Sequence, residues 1–579
     1  MEEIKQNLRQ AINSLYGLDF APELTPSPAN IDADYSTNVP LKLAKDLHKN
    51  PMNIAEELLE ALADIITSRE LQAGESRNDE HDQNGSQNVS VTPPGFLNFK
   101  VDDKYLNKKL NDLYTNFSDK IKSNEFSGKT VICEFSDPNP FKVLHVGHLY
   151  TSIMGDSISR LYEYAGAKVI RANFGGDVGL HVAKTMYILQ QKDPTTLTID
   201  DIGRCYVEGT AAYEDDDIAK AAITKLNKEI YRINAEDIHG TPLADLYWQG
   251  RELSYQYFND FYKSIGVKFD KYYPESTVAG LGLATVKREL SAGVYEESDG
   301  AVIFNGEKYG LHTRVFINQE GVPTYEAKDV GLILQKNQDY HFDKSVVITG
   351  SEQLEYMKVV LKSVEQFAPE LVAKTTHLTH GLVKLPGNVK MSSRKGNFLK
   401  AVDVINMVKD ALKSGYNSKD DTVSLAATKY AFLKYKMGGN IIFDPEESVK
   451  MTGNSGPYLL YSAVRAKKIL AKTTNDRART NAALGDDAAY VGNASRSERN
   501  LAKKLLEYKN VLDEAVSELA PHKVATYLYE LAQEFSRFYE NCPVVGVPEE
   551  ERRIQLVQVY LDVMTHGLKL LGINIPEEM

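Results

Sequence analysis

The hydrophobic and polar positions change their period along the chain, and each change indicates a different kind of element. Residues 53–66 form a predicted amphipathic helix with Asn53 as its N-cap. The apolar positions on its face are Ile54, Leu58, Leu62 and Ile65. A polar stretch follows over 73–88, and the apolar run 96–99 predicts a returning strand. We therefore expect a small α+β domain over residues 1–110.

A β-rich run at 130–135 begins a different pattern. It leads through a Pro-Asn-Pro loop to a predicted helix over 149–164 and a second strand over 169–174. Strand, loop, helix and strand make one crossover unit of a parallel sheet. Further strands are predicted at 346–349 and in the run leading to 381–385, after a mixed insertion over about 194–304. We expect an α/β Rossmann-like core over residues 111–400.

Beyond about residue 400 the strand signals vanish and amphipathic helices follow. One such helix carries Leu531, Phe535 and Phe538 on a single face. This pattern predicts a connecting helical region over 401–450 and an all-α bundle over 451–579. A chain of 579 residues exceeds one hydrophobic core, so the whole protein is expected to be multidomain.

Composition narrows the class of protein. No apolar run is long enough to cross a bilayer and no secretory segment opens the chain, so we expect a cytoplasmic protein without membrane contact. The net charge of −13 argues against indiscriminate nucleic-acid binding. It leaves open a local basic face in the stretch 465–509, whose alternative is a solvated helical face. Cys133, Cys205 and Cys542 lack the spacing of zinc ligands, so no structural zinc is expected.

The motif at residues 145–148, His-Val-Gly-His, is predicted where the first strand leads into its helix. A phosphate bound there meets unpaired backbone N–H groups at a helix N-terminus. Gly147 removes a side chain that would block close approach of a nucleotide. His145 and His148 can both donate hydrogen bonds to phosphate oxygens. The alternative is two incidental histidines near a helix start.

A second motif is a short cationic loop that follows the predicted sheet. Its residues are Lys390, Met391, Ser392, Ser393, Arg394 and Lys395. Alone it is typical of a solvated basic turn. Downstream of His-Val-Gly-His in an α/β context, it becomes a candidate clamp for the β- and γ-phosphates of ATP.

The two motifs resemble the paired HIGH and KMSKS signatures of the class I aminoacyl-tRNA synthetases, and their context resembles the arginyl-tRNA synthetases. The resemblance rests on the Pro-Asn loop before the first motif, on residues 321–325 with Asp329, and on segments along nearly the whole chain. It implies a HUP-type catalytic core, an N-terminal domain that touches the tRNA elbow and a helical anticodon-binding domain. It also implies a monomer that uses ATP with Mg²⁺, L-arginine and tRNA-Arg, with the insertion contacting the acceptor stem.

The resemblance places the substrate arginine on five residues: Glu134, Asn139, Tyr325, Asp329 and Gln353. A pocket for a guanidinium needs carboxylates, because that group is always protonated. Tyr325 and Asp329 are four apart and share a face if their segment is helical. Glu134 has a sheet-end ion pair as its alternative role, and Tyr325 a core aromatic.

The same resemblance implies tRNA contacts in the C-terminal bundle. Tyr458, Tyr461 and Arg465 are the candidates there, because loop bases suit aromatic stacking and guanidinium contacts.

The mechanism implied is adenylate formation, in which an already ionised carboxylate attacks the α-phosphate and expels pyrophosphate. His145 and His148 supply donors, and Lys390 holds the leaving group. Ser393 stands where KMSKS has its second lysine, and we expect Lys142 to compensate. Three alternatives stay open: a nucleotidyltransferase of the same superfamily, a synthetase for another amino acid, and a non-catalytic RNA-binding relative.

Overall fold

The computed structural model describes residues 2–28, 31, 33–72, 87–192, 197–387, 399–416, 420–474 and 494–579. The chain divides into two compact units, and each unit joins segments that are distant in sequence. The first unit contains residues 1–120, 469–508 and 534–560. The second contains residues 121–468, 509–533 and 561–579. Segments from the C-terminal part of the chain enter both units.

The elements follow one another along the chain in three groups. The first group is α1 (Glu2–Tyr16), β1 (Thr25–Pro26), β2 (Tyr35–Thr37), α2 (Val39–Leu47), α3 (Pro51–Gln72), β3 (Gln87–Thr92), β4 (Phe96–Val101), α4 (Asp103–Thr115) and α5 (Phe117–Ile121). The second is β5 (Thr130–Glu134), α6 (Val146–Tyr164), β6 (Lys168–Gly175), α7 (Leu180–Leu189), α8 (Ile199–Asp215), α9 (Asp217–Ala235), α10 (Pro242–Ser264), β7 (Lys271–Pro274), α11 (Glu275–Ser291), β8 (Glu296–Ser298), β9 (Ala301–Phe304) and β10 (Arg314–Ile317). The third is α12 (Tyr325–Tyr340), β11 (Lys344–Gly350), α13 (Leu354–Glu365), α14 (Pro369–Ala373), β12 (Thr375–His380), β13 (Val383–Lys384), α15 (Ala401–Tyr416), α16 (Asp421–Leu433), β14 (Ile441–Ile442), α17 (Pro445–Ser448), α18 (Gly456–Thr474), α19 (Arg496–Leu506), α20 (Tyr508–Ser517), α21 (Pro521–Asn541) and α22 (Glu550–Leu570).

The N-terminal segment folds as an antiparallel sheet in the order β1-β2-β4-β3, with α1, α2 and α3 contributing to its core. The apolar face predicted for α3 is buried at Ile54 and Leu58. The predicted N-cap is wrong, because α3 begins at Pro51 rather than after Asn53. Asn50 caps it, with its Oδ1 accepting from the N–H of Met52 at 2.8 Å, and proline suits the first helical position since it has no N–H to satisfy.

Part of the basic stretch 465–509 is used inside the first unit. Arg499 Nη2 donates to Asp34 Oδ2 at 2.8 Å, and Lys503 Nζ donates to Asp34 Oδ1 at 2.7 Å. Asp34 is only 7% exposed, so these ion pairs lie in the interior of the unit. Arg499 and Lys503 therefore belong neither to a solvated helical face nor to a basic face that could bind tRNA.

The second unit is built on a parallel sheet of five strands among the described residues, in the order β12-β11-β5-β6-β7. Counted along the chain, that order is fifth, fourth, first, second and third strand, so β11 and β12 lie on one side of β5, and β6 and β7 lie on the other. The direction of winding therefore reverses between β5 and β11. Ligands of such sheets bind at this reversal, beyond the carboxyl ends of the strands.

The stretch expected as an insertion contains one strand of the main sheet. β7 pairs with β6 in parallel register, although it lies inside residues 194–304. Its sequence, Lys-Tyr-Tyr-Pro, is short, polar and closed by proline, so it carries no buried-strand signal. The structure differs from the sequence-based expectation in a second place: the short strand β14 lies beyond residue 400, where only helices were expected, and it pairs with β13.

None of the helices in the described ranges is long and apolar enough to cross a membrane. The three cysteines are buried and unpaired.

Candidate active site

A cavity of about 640 Å³ lies at the carboxyl ends of β5 and β11. Its walls come from the loop after β5, the start of α6, one face of α12 and the segment after β11. Eight of the residues predicted for ATP or arginine line it: Glu134, Asn139, His145, Gly147, His148, Tyr325, Asp329 and Gln353. Residues far apart in the sequence thus meet at the reversal point of the sheet.

His145 and His148 cap the start of α6 reciprocally. The Nδ1 atom of His145 accepts from the N–H of Gly147 at 3.0 Å, and the Nδ1 atom of His148 accepts from the N–H of His145 at 3.1 Å. An accepting nitrogen carries no proton, so this pattern assigns the proton of each neutral ring to Nε2. Burial, with the charge of Lys142, lowers the pKa of His145 to about 4, and burial also lowers the pKa of His148 well below its ordinary value. Both rings are therefore neutral hydrogen-bond donors at pH 7.

Position 147 needs glycine because the His145 ring, as well as a bound nucleotide, leaves no room for a side chain. A Cβ at this position would lie 2.8 Å from Cε1 of His145, and the two imidazole rings stack with centroids 3.8 Å apart. An alanine would push the His145 ring out of its capping position.

The second motif, Lys390 to Lys395, lies outside the described residues. The segment that follows it is held against the first motif. The N–H of Val146 donates to the carbonyl of Leu399 at 2.9 Å, and the N–H of Ala401 donates to that of Leu144 at 3.0 Å. Residues 399–401 thus lie directly beside the start of α6.

Lys142 does not line the cavity, but its charge acts on two histidines that do. Its Nζ lies 4.6 Å from the centroid of the Tyr206 ring on α8. The same charge contributes to the lowered pKa of His145 and of His148. A cation near both histidines is available on the β5 side of the site.

The loop between β5 and α6 contains three non-glycine residues in the left-handed region. Ser136, Asp137 and Phe141 have φ values of 74°, 51° and 64°, a conformation that side chains disfavour and that clusters at functional sites. Phe141 is held there because its N–H donates to Ser254 Oγ at 3.0 Å. Its ring also packs against α10, where a Cβ on Gly250 would lie 2.5 Å from Cε1.

Gly250→Ala should therefore destabilise the protein by about 1–3 kcal/mol, because the new methyl group overpacks the Phe141 ring. Urea unfolding followed by circular dichroism measures the change in the free energy of unfolding. The matched control is Gly280→Ala on α11, where a Cβ meets nothing within 4 Å. That variant should be unchanged or up to about 1 kcal/mol more stable. Equal stability of the two variants would contradict the packing argument.

Asp329 is the pocket carboxylate best placed to receive a cation. It projects from α12 on the same face as Tyr325, as predicted from their spacing, and both line the cavity. Asp329 accepts from the hydroxyl of Tyr356 and forms no ion pair with the described residues. Burial raises the pKa of Asp329 to about 7, and the charges of Glu134 and Glu275 add to this effect.

Two other carboxylates of the cavity, those of Glu134 and Glu275, already have cations, and Asp137 Oδ1 accepts from the N–H of Phe174 at 2.8 Å. Glu134 Oε2 accepts from Lys336 Nζ at 2.6 Å, so the sheet-end ion pair and the pocket position are both present. Glu275 Oε2 accepts from Lys328 Nζ at 2.6 Å, with both side chains buried. Glu275 was not predicted from the sequence, since it opens α11 far from any motif.

Asn139 and Gln353 complete the polar wall. Asn139 Oδ1 accepts from the N–H of Gly176 at 2.7 Å, which directs its amide nitrogen elsewhere. Gly176 has no room for a side chain, because a Cβ would lie 2.8 Å from Asn139 Oδ1 and 2.9 Å from Glu275 Oε1. Gln353 follows β11 and is exposed at the cavity wall.

The raised pKa of Asp329 predicts how arginine binding depends on pH. A guanidinium needs the ionised carboxylate, so affinity should be constant above about pH 7.5 and fall roughly tenfold per pH unit below 7. Calorimetric titration of arginine between pH 5.5 and 8.5 measures this dependence. The pKa of His145, about 4, lies below this range, and a flat profile would mean that Asp329 does not bind the guanidinium.

The residues predicted to contact tRNA lie on α18. Tyr461 is 41% exposed, and Arg465 Nη2 donates to its hydroxyl at 2.9 Å. Tyr458 is half-buried and packs edge-on against Tyr529, with centroids 5.8 Å apart. The structure therefore pairs Tyr461 with Arg465 and directs Tyr458 partly into the interior.

A parallel sheet of this order, with His-Val-Gly-His capping the helix at its reversal point, defines the catalytic domain of a class I aminoacyl-tRNA synthetase. The family model described as "tRNA synthetases class I (R), catalytic domain" matches residues 111–443. The models "DALR anticodon binding domain" and "Arginyl tRNA synthetase N terminal domain" match residues 459–579 and 2–74. The chain belongs to the class I arginyl-tRNA synthetases.

Individual relatives agree with this assignment. The arginine–tRNA ligase of Treponema denticola is 30% identical over 482 residues, covering 79% of this chain and 80% of the relative. That of Clostridium perfringens is 27% identical and covers 100% of this chain and 99% of its own. The arginyl-tRNA synthetase of Thermus thermophilus, 23% identical, superposes over the full length of both chains with a TM-score of 0.74 and so has the same fold.

Proposed function

We propose that this arginine–tRNA ligase works through the cavity at β5 and β11, where arginine and ATP meet. The activity is formation of arginyl-adenylate with release of pyrophosphate, then transfer of the arginyl group to the 3′ end of tRNA-Arg. The observation that carries the proposal is the position of the two neutral imidazole donors and the unpaired Asp329 in one cavity.

Arginine is held at its guanidinium by Asp329. Glu134 and Glu275 lend negative potential, but Lys336 and Lys328 already neutralise them. A bound guanidinium gives Asp329 the cation that it lacks among the described residues, and Tyr325 packs against the side chain. An uncharged amino acid would leave Asp329 buried without a partner, which strongly disfavours its binding.

The arginine carboxylate then attacks the α-phosphate of ATP. It is ionised at neutral pH, so the step needs no general base. The Nε2–H groups of His145 and His148 donate to phosphate oxygens as charge develops there. Their neutrality keeps this donation constant across physiological pH.

The leaving pyrophosphate needs cations. Lys390 and its neighbours through Lys395 are proposed for this role from the sequence, and Lys142 is proposed to add a charge near His145 and His148. In the described residues no group of three or more His, Cys, Asp or Glu side chains could form a metal cage. Mg²⁺ is therefore proposed to arrive with ATP.

Transfer brings tRNA to the same enzyme. Tyr461 and Arg465 on α18 are proposed to contact anticodon bases by stacking and guanidinium contacts. The helices of the insertion are proposed to contact the acceptor stem, and the N-terminal segment the tRNA elbow. We propose that the enzyme works as a monomer in the cytoplasm, which sedimentation velocity and cell fractionation test.

An aminoacylation assay with total tRNA and each of the twenty amino acids tests the function. Only arginine should be charged, and only when ATP is present. Charging with any other amino acid would overturn the proposal. Charging of no amino acid would favour an RNA-binding relative without catalysis.

A further inference from the structure

The C-terminal end of α22 meets the side of α6 within the second unit. Ser157 Oγ donates to the carbonyl of Leu570 at 3.0 Å, and Arg160 Nη1 donates to that of Lys569 at 3.3 Å. The last carbonyls of a helix lack partners within it, and solvent or a capping turn usually supplies them. Here the turn at Gly572 supplies donors to the carbonyls of Leu568 and Lys569, and two side chains of α6, the helix that begins at the ATP motif, add donors to those of Lys569 and Leu570.

A third donor comes from α16. Lys429 Nζ donates to the carbonyl of Gly572 at 2.7 Å, and Lys429 is only 2% exposed. Gly572 has φ +67°, and a Cβ there would lie 3.0 Å from Lys429 Nζ and 3.1 Å from Asp156 Oδ2. Glycine at this position ends α22 in the left-handed conformation and lets both charged groups approach its backbone. Cations at a helix C-terminus are also favoured by the helix dipole.

These contacts form one feature, the α6–α22 joint. It comprises the side chains of Ser157, Arg160 and Lys429 with the carbonyls of Lys569, Leu570 and Gly572. The joint extends into the sheet through Asp156, which accepts from Arg160 at 2.7 Å and from Arg171 on β6 at 3.3 Å. The joint thus fixes α6 both to the sheet and to the end of α22.

We propose that the α6–α22 joint positions α6 for adenylate formation, so that Ser157, Arg160 and Lys429 are positioning residues of the reaction. The inference rests on the proposed function, because it requires that the histidines at the start of α6 act on ATP. α6 is one continuous helix, so a tilt at Ser157 moves His145 and His148. Misplacement of catalytic groups by about 1 Å lowers a rate by roughly 100-fold. The arginine pocket lies mainly on β5 and α12, so the affinity for arginine should not change when α6 tilts.

Two serines on α6 provide a matched test. Ser157 and Ser159 are both buried, but Ser159 Oγ donates to Gly155 O of its own helix, whereas Ser157 Oγ donates to α22. Arginine-dependent pyrophosphate exchange is measured with tRNA present. Ser157→Ala should lower kcat by about tenfold, given the steep cost of misplacement, while the KM for arginine stays within about twofold. Ser159→Ala should leave both constants within about twofold.

Further variants separate positioning from a loss of stability. Arg160→Met should show the same fall in kcat, and Arg160→Lys, which keeps a donor, should recover most of the lost rate. Gly572→Ala disturbs the joint from the α22 side and should give the same split between kcat and KM. The inference is overturned if Ser157→Ala, Arg160→Met and Gly572→Ala keep the wild-type kcat, or if the KM for arginine rises in step with the loss of rate. A wild-type enzyme that charges no arginine would instead refute the proposed function.

Discussion

Replacement of Asp329 by asparagine is expected to lower kcat/KM for arginine by about 10³-fold, because truncating one partner of a buried charge pair costs about 2–5 kcal/mol. Asparagine keeps the size of the side chain and an oxygen that can accept from Tyr356, so the pocket should keep its shape. The loss should lie mainly in arginine binding, since the guanidinium is bound in the ground state as well as in the transition state. Pyrophosphate exchange at varied arginine concentration measures it.

The control is Asp339→Asn on the same helix. Asp339 accepts from Tyr273 and Gln335 and does not line the cavity. Its kcat/KM for arginine should change by less than about threefold, within the usual range for a surface substitution. If Asp329→Asn also stays within threefold, another group binds the guanidinium.

The second large effect is expected at His148, where alanine should lower kcat for adenylate formation by about 10²–10³-fold, the usual loss for one preorganised donor. The KM for arginine should hardly change, because His148 acts on the phosphate. Single-turnover formation of arginyl-adenylate measures the step directly.

Two further substitutions at this position separate capping from donation. In His148→Asn, the amide oxygen can replace Nδ1 as acceptor from the N–H of His145, but no donor reaches the phosphate. In His148→Gln, the amide nitrogen can replace the Nε2 donor. Glutamine should therefore retain more activity than asparagine. The opposite order would show that capping of α6, rather than donation to ATP, is the role of His148.

The sequence predicted the position of site residues best where the same residues also mark the start of a helix. His145 and His148 have the spacing of an N-cap and its third helical position, and the apolar runs around them predict strand and helix. Their place at the start of α6 was therefore predictable. The reciprocal capping and the assigned tautomers were not, because histidine is an uncommon cap and burial cannot be read from a motif.

The charge balance of the arginine pocket was less predictable. Glu134 and Asp329 were candidates, but Lys336 neutralises one of them across 202 positions of sequence. Glu275 has no motif around it, and its contact with Lys328 depends on the packing of α11 against α12. Which carboxylates of the pocket are neutralised by a lysine is a property of the tertiary structure, so the sequence could name the acidic residues but not choose between them.

The ion pairs of Asp34 have a consequence for how the protein is made. Arg499, one of its partners, lies 465 positions later, so a ribosome synthesises the N-terminal segment long before that partner exists. Until then Asp34 has neither Arg499 nor Lys503 to offset its burial, and the first unit cannot reach its final packing. Such long-range closure is slow compared with local folding. The packing around Asp34 is therefore expected to be completed only after Arg499 and Lys503 have been synthesised.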